Sequence, residues 1–212
     1  SVCEYPPKRA DLAQSVFFPY ANHHIAQTPC LTVQDPKAYG LPYTPEMQIF
    51  YGTNRPMSIP NSGRQFDGLA KTFNVVIDVL MTESCWFADI VLPDKTYLES
   101  WHFAPTRGTP DTGHVAIRQP MTNPFNLEQD AFSILWELSK RCGFSDKFAE
   151  ESNKSWGLKE VIFKPGRDYT QRETVEVIWA DKTKQDFNVA IDKGFIGSKK
   201  NAKSKYLGGA ED

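Results

Sequence analysis

FNVVIDVLMTESCWFADIVLP, residues 73–93, decides the fold class of this chain. Its apolar run VVI is typical of a strand covered on both faces, and Asp78 closes that run with a polar side chain. A short helical crossover and a second apolar strand, Asp89–Leu92, follow before Pro93. Polar groups that end parallel strands collect at the carboxyl edge of a sheet, where ligands bind. We therefore expect Asp78, Thr82 and the segment after Pro93 to share one edge.

A third strand is predicted upstream of this stretch. Met47–Tyr51 is a short apolar run, GTNRP is a turn, and Asn61 is placed to cap a helix that carries Phe66, Leu69 and Ala70. The order strand, helix, strand, helix, strand favours a parallel sheet with right-handed crossovers. We predict a three-layer, Rossmann-like α/β fold with helices on both faces of the sheet, flanked by irregular segments.

The rest of the chain divides into three predicted segments. Residues 1–46 hold seven of the 15 prolines and are expected to be an irregular lead-in. The α/β segment is predicted over 47–145, and 146–212 is predicted to be mostly helical. In that last segment Val175–Phe187 reads as one regular element and Ala190–Lys193 as a short second one.

A long connection is predicted between the second strand and the next helix. Residues 94–125 are rich in proline and glycine, and one short extended piece, His114–Arg118, interrupts them. Asn126 followed by Gln129 reads as a capping box that opens the helix, and Gly143 ends it.

The composition narrows the class of function. The chain has 212 residues, 40% of them hydrophobic, and a formal net charge of −2, which leaves no basic surface for nucleic acid. The basic cluster Lys199, Lys200, Lys203 and Lys205 is expected to be a solvated terminal segment.

Several motifs are missing from the sequence. The four cysteines form no CxxC pair, so neither a zinc site nor an iron–sulfur cluster is predicted from them. The patterns GxSxG, HExxH and GxxxxGK[ST] do not occur, so hydrolase and P-loop functions have no support. No apolar run is long enough to span a bilayer, and the first residues carry neither methionine nor a signal-peptide pattern.

Two places could hold a ligand at the predicted strand ends. The turn Gly52-Thr53-Asn54 lies between a strand and a helix, where glycine lets backbone N–H groups approach a phosphate, although an ordinary connecting turn has the same pattern. Asp78 must reach either water or donors such as a ribose hydroxyl or a guanine edge. Thr82 could cap the crossover helix or touch the same ligand.

The remaining polar groups carry weaker signals. Asp130 is predicted just inside a helix N-terminus, which the helix dipole alone explains. His23–His24 has no identifiable acidic partner. The loop after the second strand combines groups that suit either acid–base chemistry or simple solvation: Glu99, Trp101, His102 and Arg107.

Three stretches together resemble the middle of the molybdopterin oxidoreductases of the dimethyl sulfoxide reductase family. They are YGTNRPMSIPN, VVIDVLMTESCWFADIVLPDKTYLES and RQPMTNPFNLEQDAFSILWELSKRCGF, and the likeness covers about residues 43–145. The family has, in this order, a strand, a G-x-N-P-like turn, a strand ending in Asp, a T-E-T-like crossover, A-D-x-x-L-P, an acid-containing loop and a helix opened by Asp. KGFIGSKK followed by Tyr206 is similar to the approach to the family's C-terminal domain.

The resemblance implies a cofactor, a bis-molybdopterin guanine dinucleotide with molybdenum or tungsten. The sheet would bind one of the two dinucleotides, whose guanine offers N–H groups to a carboxylate. The candidate cofactor-binding residues are Gly52, Thr53, Asn54, Ile77, Asp78, Thr82 and Asp130. Thr82 is added to these residues because it is expected at the same edge of the sheet. The chain departs from the family at Arg55, which interrupts the N-P pair, and at Ser100-Trp101-His102.

The resemblance also implies that the chain is a central fragment of a longer catalytic subunit. The family's N-terminal iron–sulfur site, its metal-ligating residue and its C-terminal domain have no counterpart here, so no catalytic or metal-binding residue is nominated and the fragment is expected to be inactive alone. The full protein would move two electrons or an oxygen atom to or from a small-molecule substrate in anaerobic respiration.

Its expected partners are an iron–sulfur electron-transfer subunit and a membrane anchor subunit, so a membrane-associated complex is suggested, with the compartment open. The insert WHFAPTRGTPDTGHVAIRQP is similar to the branch of polysulfide and thiosulfate reductases, which includes some acyl-CoA oxidoreductases.

Two other functions stay open from the sequence. The segment could be a non-catalytic scaffold, as in the large iron–sulfur subunit of NADH dehydrogenase, which resembles this family but carries no molybdenum. It could also be a free-standing nucleotide-binding domain, since one fold hosts many functions.

Overall fold

The computed structural model divides the chain into two compact units, Ser1–Asp94 and Lys95–Asp212. The described residues are 29–106, 114–125, 129–183, 186–193 and 195–197, with the backbone alone for 104–106, 114–115 and 195–197. The division between the units falls inside the predicted 47–145 segment, and the three-part division predicted from the sequence stays a prediction. Within the described residues, no helix combines the length and the apolar character needed to cross a bilayer.

The first unit is built on a parallel sheet of three strands. These are β1, Met47–Tyr51, β2, Phe73–Asp78, and β3, Ile90–Pro93, and they lie in the order β1-β2-β3. Met47 pairs with Phe73, and both neighbouring pairs of strands run parallel. The predicted α/β class with a parallel sheet is therefore confirmed, and the third strand is shifted by one residue from Asp89–Leu92.

Within residues 29–94, four short helices accompany this sheet: α1, Pro29–Thr32, α2, Arg55–Ser58, α3, Ser62–Leu69, and α4, Glu83–Trp86. Asn61 caps α3 as predicted, because its side chain accepts a hydrogen bond from the Arg64 backbone N–H at 3.4 Å. The helix α1 lies inside the segment that was predicted to be irregular.

The core of the first unit lies on one face of the sheet. Its buried apolar residues come from two strands and three helices: Cys30, Phe50, Leu69, Val76 and Cys85. Because side chains alternate along a strand, the neighbouring positions point to the other face. Several of those side chains are exposed: Met47, Ile49, Tyr51, Phe73 and Ile90. The predicted second layer of helices is not seen among the described residues of this unit.

The second unit contains an antiparallel sheet that the sequence did not predict. Its strands β4, His102–Thr106, β5, His114–Arg118, and β6, Phe195–Gly197, lie in the order β4-β5-β6. Only β5 was predicted as an extended piece. β4 and β5 follow each other in the sequence, whereas β6 pairs with β5 across about 80 residues, which local alternation of apolar residues does not reveal.

The described part of the second unit contains four helices: α5, Ala131–Arg141, α6, Ser145–Ser155, α7, Gln171–Thr183, and α8, Phe187–Lys193. The predicted element Val175–Phe187 is thus two helices with a break between them. Aromatic rings fill the core beneath them, with Trp136, Phe163 and Tyr169 in mutual contact.

The predicted capping box at the start of α5 is wrong. The residue that caps this helix is Asp130, one position before Ala131, and Asn126 lies outside the described residues. Asp130 therefore precedes the helix, although it was predicted to lie just inside the helix N-terminus. Gly143 follows the helix with a φ of 76°, as expected for a helix stop.

Candidate functional site

The turn after β1 lies beside the end of β2. The Gly52 backbone N–H donates to the Ile77 carbonyl oxygen at 2.9 Å, and Gly52 has a φ of 55°, which favours glycine. A Cβ built on Gly52 would meet no heavy atom within 4 Å, so the conformation and not crowding calls for glycine. The backbone of this turn is consequently open to a ligand, and half-buried Thr53 follows it.

Asn54 joins the turn to the crossover helix α4. Its Nδ2 donates to the Glu83 carboxylate, and its Oδ1 accepts from the Ser84 hydroxyl at 3.3 Å. The hydrogen bond from Asn54 lowers the pKa of Glu83, so that this carboxylate is ionised at neutral pH. Both ends of the Asn54 amide therefore position the turn against the neighbouring strand connection.

Asp78 is the last residue of β2 and lies half-buried at the same edge. Its Oδ1 accepts from the Val79 backbone N–H at 2.7 Å, which orients the carboxylate. Its Oδ2 has no hydrogen-bond partner among the described residues. The Asp94 N–H donates to the Asp78 carbonyl at 3.1 Å, which confirms that the segment after Pro93 shares this edge.

Two predicted residues are placed differently from the expectation. Ile77 is 1% exposed, so its side chain is buried, and its carbonyl oxygen accepts the hydrogen bond from Gly52. Thr82 stands at the cap position of α4, but its side chain makes no capping hydrogen bond. Its Oγ1 lies 3.5 Å from Cys85 Sγ instead, so Thr82 caps the helix by position but not through its side chain, and its contact with a ligand stays a prediction.

Asp130 belongs to the second unit, where its carboxylate is engaged by the helix that it caps. Oδ1 accepts from the backbone N–H groups of Phe132 at 2.9 Å and Ser133 at 3.1 Å, and Oδ2 accepts from the Ser133 hydroxyl at 3.2 Å. Asp130 is 7% exposed. Helix capping thus accounts for this residue without a ligand.

Asp130 also lines a cavity of about 690 Å³ in the second unit. The guanidinium of Arg172 lies 5.5 Å from the centre of the Trp101 ring at this cavity. The backbone N–H of Trp101 donates to Gln171 Oε1 at 2.8 Å. A planar aromatic surface with a cation above it suits a flat or anionic ligand.

Glu99 organises the loop at the same cavity. Its Oε2 accepts from the Thr96 hydroxyl at 2.7 Å and the Thr96 N–H at 2.9 Å, and its Oε1 accepts from the Phe125 N–H at 3.1 Å. The Thr96 hydroxyl contributes most to lowering the pKa of Glu99. This carboxylate is therefore an ionised group that organises the loop, and the acid–base role considered from the sequence stays a prediction.

A comparison with family models gives one match, to Molybdopterin oxidoreductase, over residues 33–141. The match covers just over half of the chain and includes the turn, the strand-end Asp78 and the cap residue Asp130. The chain belongs to the molybdopterin oxidoreductase family.

Curated relatives agree with this assignment. Trimethylamine-N-oxide reductase 1 of Escherichia coli strain K12 is 32% identical over 117 residues, which are 55% of this chain and 14% of the reductase. A selenate reductase subunit of Mesobacillus selenatarsenatis is 23% identical over 80% of this chain and 15% of its own length. The chain thus spans about one seventh of the length of these relatives.

The solved structure of acetylene hydratase from Pelobacter acetylenicus has a similar fold. The TM-score is 0.60 at 20% sequence identity, over 84% of this chain and 21% of the hydratase chain. At this identity the likeness concerns the fold alone.

Membership in the molybdopterin oxidoreductase family implies a molybdopterin cofactor with its metal. The edge of the first unit has groups that suit a polar part of such a cofactor, because Gly52 offers an open backbone and Asp78 a carboxylate oxygen without a partner among the described residues. Among the described residues, no group of three His, Cys, Asp or Glu side chains is arranged to hold a metal ion.

Sequence reasoning missed several residues of this edge. Ser84 and Glu83 were not singled out, although both hold Asn54. Buried Asn74, near the other end of β2, was also missed; its Nδ2 donates to the Leu69 carbonyl at 2.6 Å. A polar residue inside an apolar strand was the available signal. Some weaker candidates lie outside the described residues: His23, His24, Arg107 and the lysines from 199 to 205.

Proposed function

We propose that this chain is the cofactor-holding central segment of a molybdenum-dependent oxidoreductase catalytic subunit. The edge formed by Gly52, Asn54 and Asp78 holds the guanine dinucleotide part of a bis-molybdopterin guanine dinucleotide. The hydrogen bond from Gly52 to Ile77 carries this proposal, because it brings the turn to the end of the strand that Asp78 closes. Asp130, at the cavity of the second unit, is a separate candidate for an acidic contact to the cofactor.

Each residue at the edge has a distinct role in this proposal. The Gly52 turn presents backbone to the dinucleotide, and Asp78 accepts N–H groups of the guanine in a charge-assisted hydrogen bond. Asn54 holds the turn in place through Glu83 and Ser84. When bound, the cofactor supplies the redox chemistry at its metal, whereas the protein supplies position and electrostatics.

The proposal for the full protein is two-electron or oxygen-atom transfer in anaerobic respiration. The names of the relatives, trimethylamine-N-oxide reductase and selenate reductase, support a reductase of a small-molecule substrate. The proposed partners are a membrane anchor and an iron–sulfur subunit that transfers electrons. An iron–sulfur cluster in the full protein and the narrower likeness to polysulfide and thiosulfate reductases remain part of this proposal.

Asp78→Ala in the full-length protein tests the cofactor contact. A lost charge-assisted hydrogen bond should lower cofactor affinity by roughly 10- to 100-fold. The measurement is molybdenum and guanine nucleotide content of the purified protein, with circular dichroism to follow the fold. Asp67→Ala, an exposed aspartate on α3, is the matched control.

Two results would count against the proposal. Unchanged molybdenum and guanine content in the Asp78→Ala protein would remove the contact. Absence of molybdenum, tungsten and guanine nucleotide from the unaltered protein would instead favour the non-catalytic scaffold.

A further inference from the structure

Arg55 is a partly buried cation with unused hydrogen-bond donors. Its guanidinium lies 5.0 Å from the centre of the Phe50 ring, and Phe50 is 3% exposed in the core of the first unit. The Nε and Nη1 atoms of Arg55 are closed off from solvent and have no hydrogen-bond partner among the described residues. Leaving donors of a charged group unfilled in the interior is unfavourable, so this arrangement calls for an acceptor.

The described part of the first unit offers Arg55 no counter-charge. Within the ranges that the structure describes, no carboxylate forms an ion pair with it. The nearby ionisable group is the Cys30 thiol, whose pKa is raised by burial, so the thiol is neutral at neutral pH. Burial also lowers the pKa of Arg55, yet a guanidinium stays protonated.

The backbone of Arg55 lies at the proposed cofactor edge. Arg55 directly follows Asn54, opens α2, and its N–H donates to the Ser84 hydroxyl at 3.2 Å. A long side chain rooted at this position can turn from the Phe50 ring toward the turn that precedes it.

We propose that Arg55 is a phosphate-binding residue, whose guanidinium leaves the Phe50 ring to bind the diphosphate of a nucleotide seated at the Gly52 turn. The planar guanidinium matches phosphate oxygens in a two-bond contact, and the phosphates supply the acceptors that its buried donors lack. This proposal rests on the proposed function of the same edge. It adds a specific residue and a specific part of the ligand, the phosphates.

The test compares three probes on the 212-residue chain: guanosine 5′-diphosphate, guanosine and inorganic pyrophosphate. Dissociation constants are measured by calorimetry for the unaltered chain, Arg55→Met and Arg55→Lys. Arg64→Met, an exposed arginine on α3, is the control. Thermal midpoints of the proteins without added probe are recorded in parallel.

The proposal expects Arg55→Met to weaken diphosphate nucleotide binding by roughly 10- to 100-fold while guanosine binding stays within about twofold. Arg55→Lys should recover part of the loss, and Arg64→Met should change neither constant. Without added probe, the Arg55→Met chain should keep or raise its thermal midpoint, because unfilled buried donors are removed.

The remaining outcomes separate the two proposals. If the unaltered chain binds the nucleotide and Arg55→Met binds it equally well, the Arg55 proposal is overturned and the proposed function stands. If the unaltered chain binds none of the three probes, both fail together. If pyrophosphate binds with the same dissociation constant as the nucleotide, and if that binding depends on Arg55, the ligand is free pyrophosphate. This result would overturn the nucleotide assignment.

Discussion

Asn54 controls the ionisation of a neighbouring carboxylate at the candidate site. Its Nδ2 donates to Glu83, and this hydrogen bond contributes most to lowering the pKa of Glu83. We expect Asn54→Ala to raise the Glu83 pKa toward its ordinary value of about 4.3. A carbon-detected NMR titration of the Glu83 carboxyl measures the change, and Asn61→Ala, at the cap of α3, should leave it unaltered. An unchanged Glu83 pKa in Asn54→Ala would contradict the contact.

Asp130 stabilises α5 by accepting hydrogen bonds from backbone N–H groups, and not through its negative charge alone. Two backbone N–H groups donate to its Oδ1. Asp130→Ala should lower the free energy of unfolding by about 1 kcal/mol, whereas Asp130→Asn, which keeps the acceptor, should lower it much less. Urea denaturation followed by tryptophan fluorescence provides the comparison. Equal losses in both variants would point to a role of the negative charge instead.

At the scale of helices and strands, α1 and α3 pack closely against each other at Gly68. A Cβ on Gly68 would lie 1.9 Å from the Cys30 carbonyl oxygen, whereas one on Gly63 would meet its first heavy atom at 4.0 Å. Gly68→Ala should therefore cost about 2 kcal/mol or more, since the backbone of α1 must move. Gly63→Ala, in the same helix, should be neutral or stabilise by up to about 1 kcal/mol. Thermal unfolding of the two variants checks the pair, and similar midpoints would show that α1 does not pack here.

Across the described part of the molecule, several glutamates have a lowered pKa. They are Glu83, Glu99, Glu137 and Glu173, with hydrogen bonds as the largest cause in each case. A lowered folded-state pKa stabilises the protein above the unfolded value, and that stability is lost as pH falls through the folded value. The free energy of unfolding should be level near neutral pH and decrease below about pH 4.5.

Salt separates the contributions to this acid transition. Glu137 pairs with Lys140 at 2.6 Å and with Arg141 at 2.9 Å, whereas Glu99 is held by hydrogen bonds to Thr96 and Phe125. Added salt should therefore reduce the effect of Glu137→Gln on the free energy of unfolding and leave that of Glu99→Gln nearly unchanged.

The raised pKa of Lys140 adds stability that is lost only when the pH rises through this pKa, above about 10.4. Urea titrations over pH and salt provide the measurement.

The sequence by itself determined the parallel sheet, its strand-end aspartate and the family. Apolar strands, a glycine turn and proline stops are local patterns, and local patterns record the pairing of neighbouring βα units. β1 was predicted with the observed ends, Met47–Tyr51, and Asn61 caps α3 as expected. The same local reasoning misplaced the start of α5, because side-chain capping depends on where the helix actually begins.

Only the tertiary structure decided which groups are buried and which polar groups have hydrogen-bond partners. It buried Ile77, joined Asn54 to Glu83 by a hydrogen bond, and paired β5 with β6, which is far away in the sequence. It also turned Arg55 inward over Phe50. The physical reason is that burial and hydrogen-bond partners come from residues distant along the chain, so no local pattern contains them.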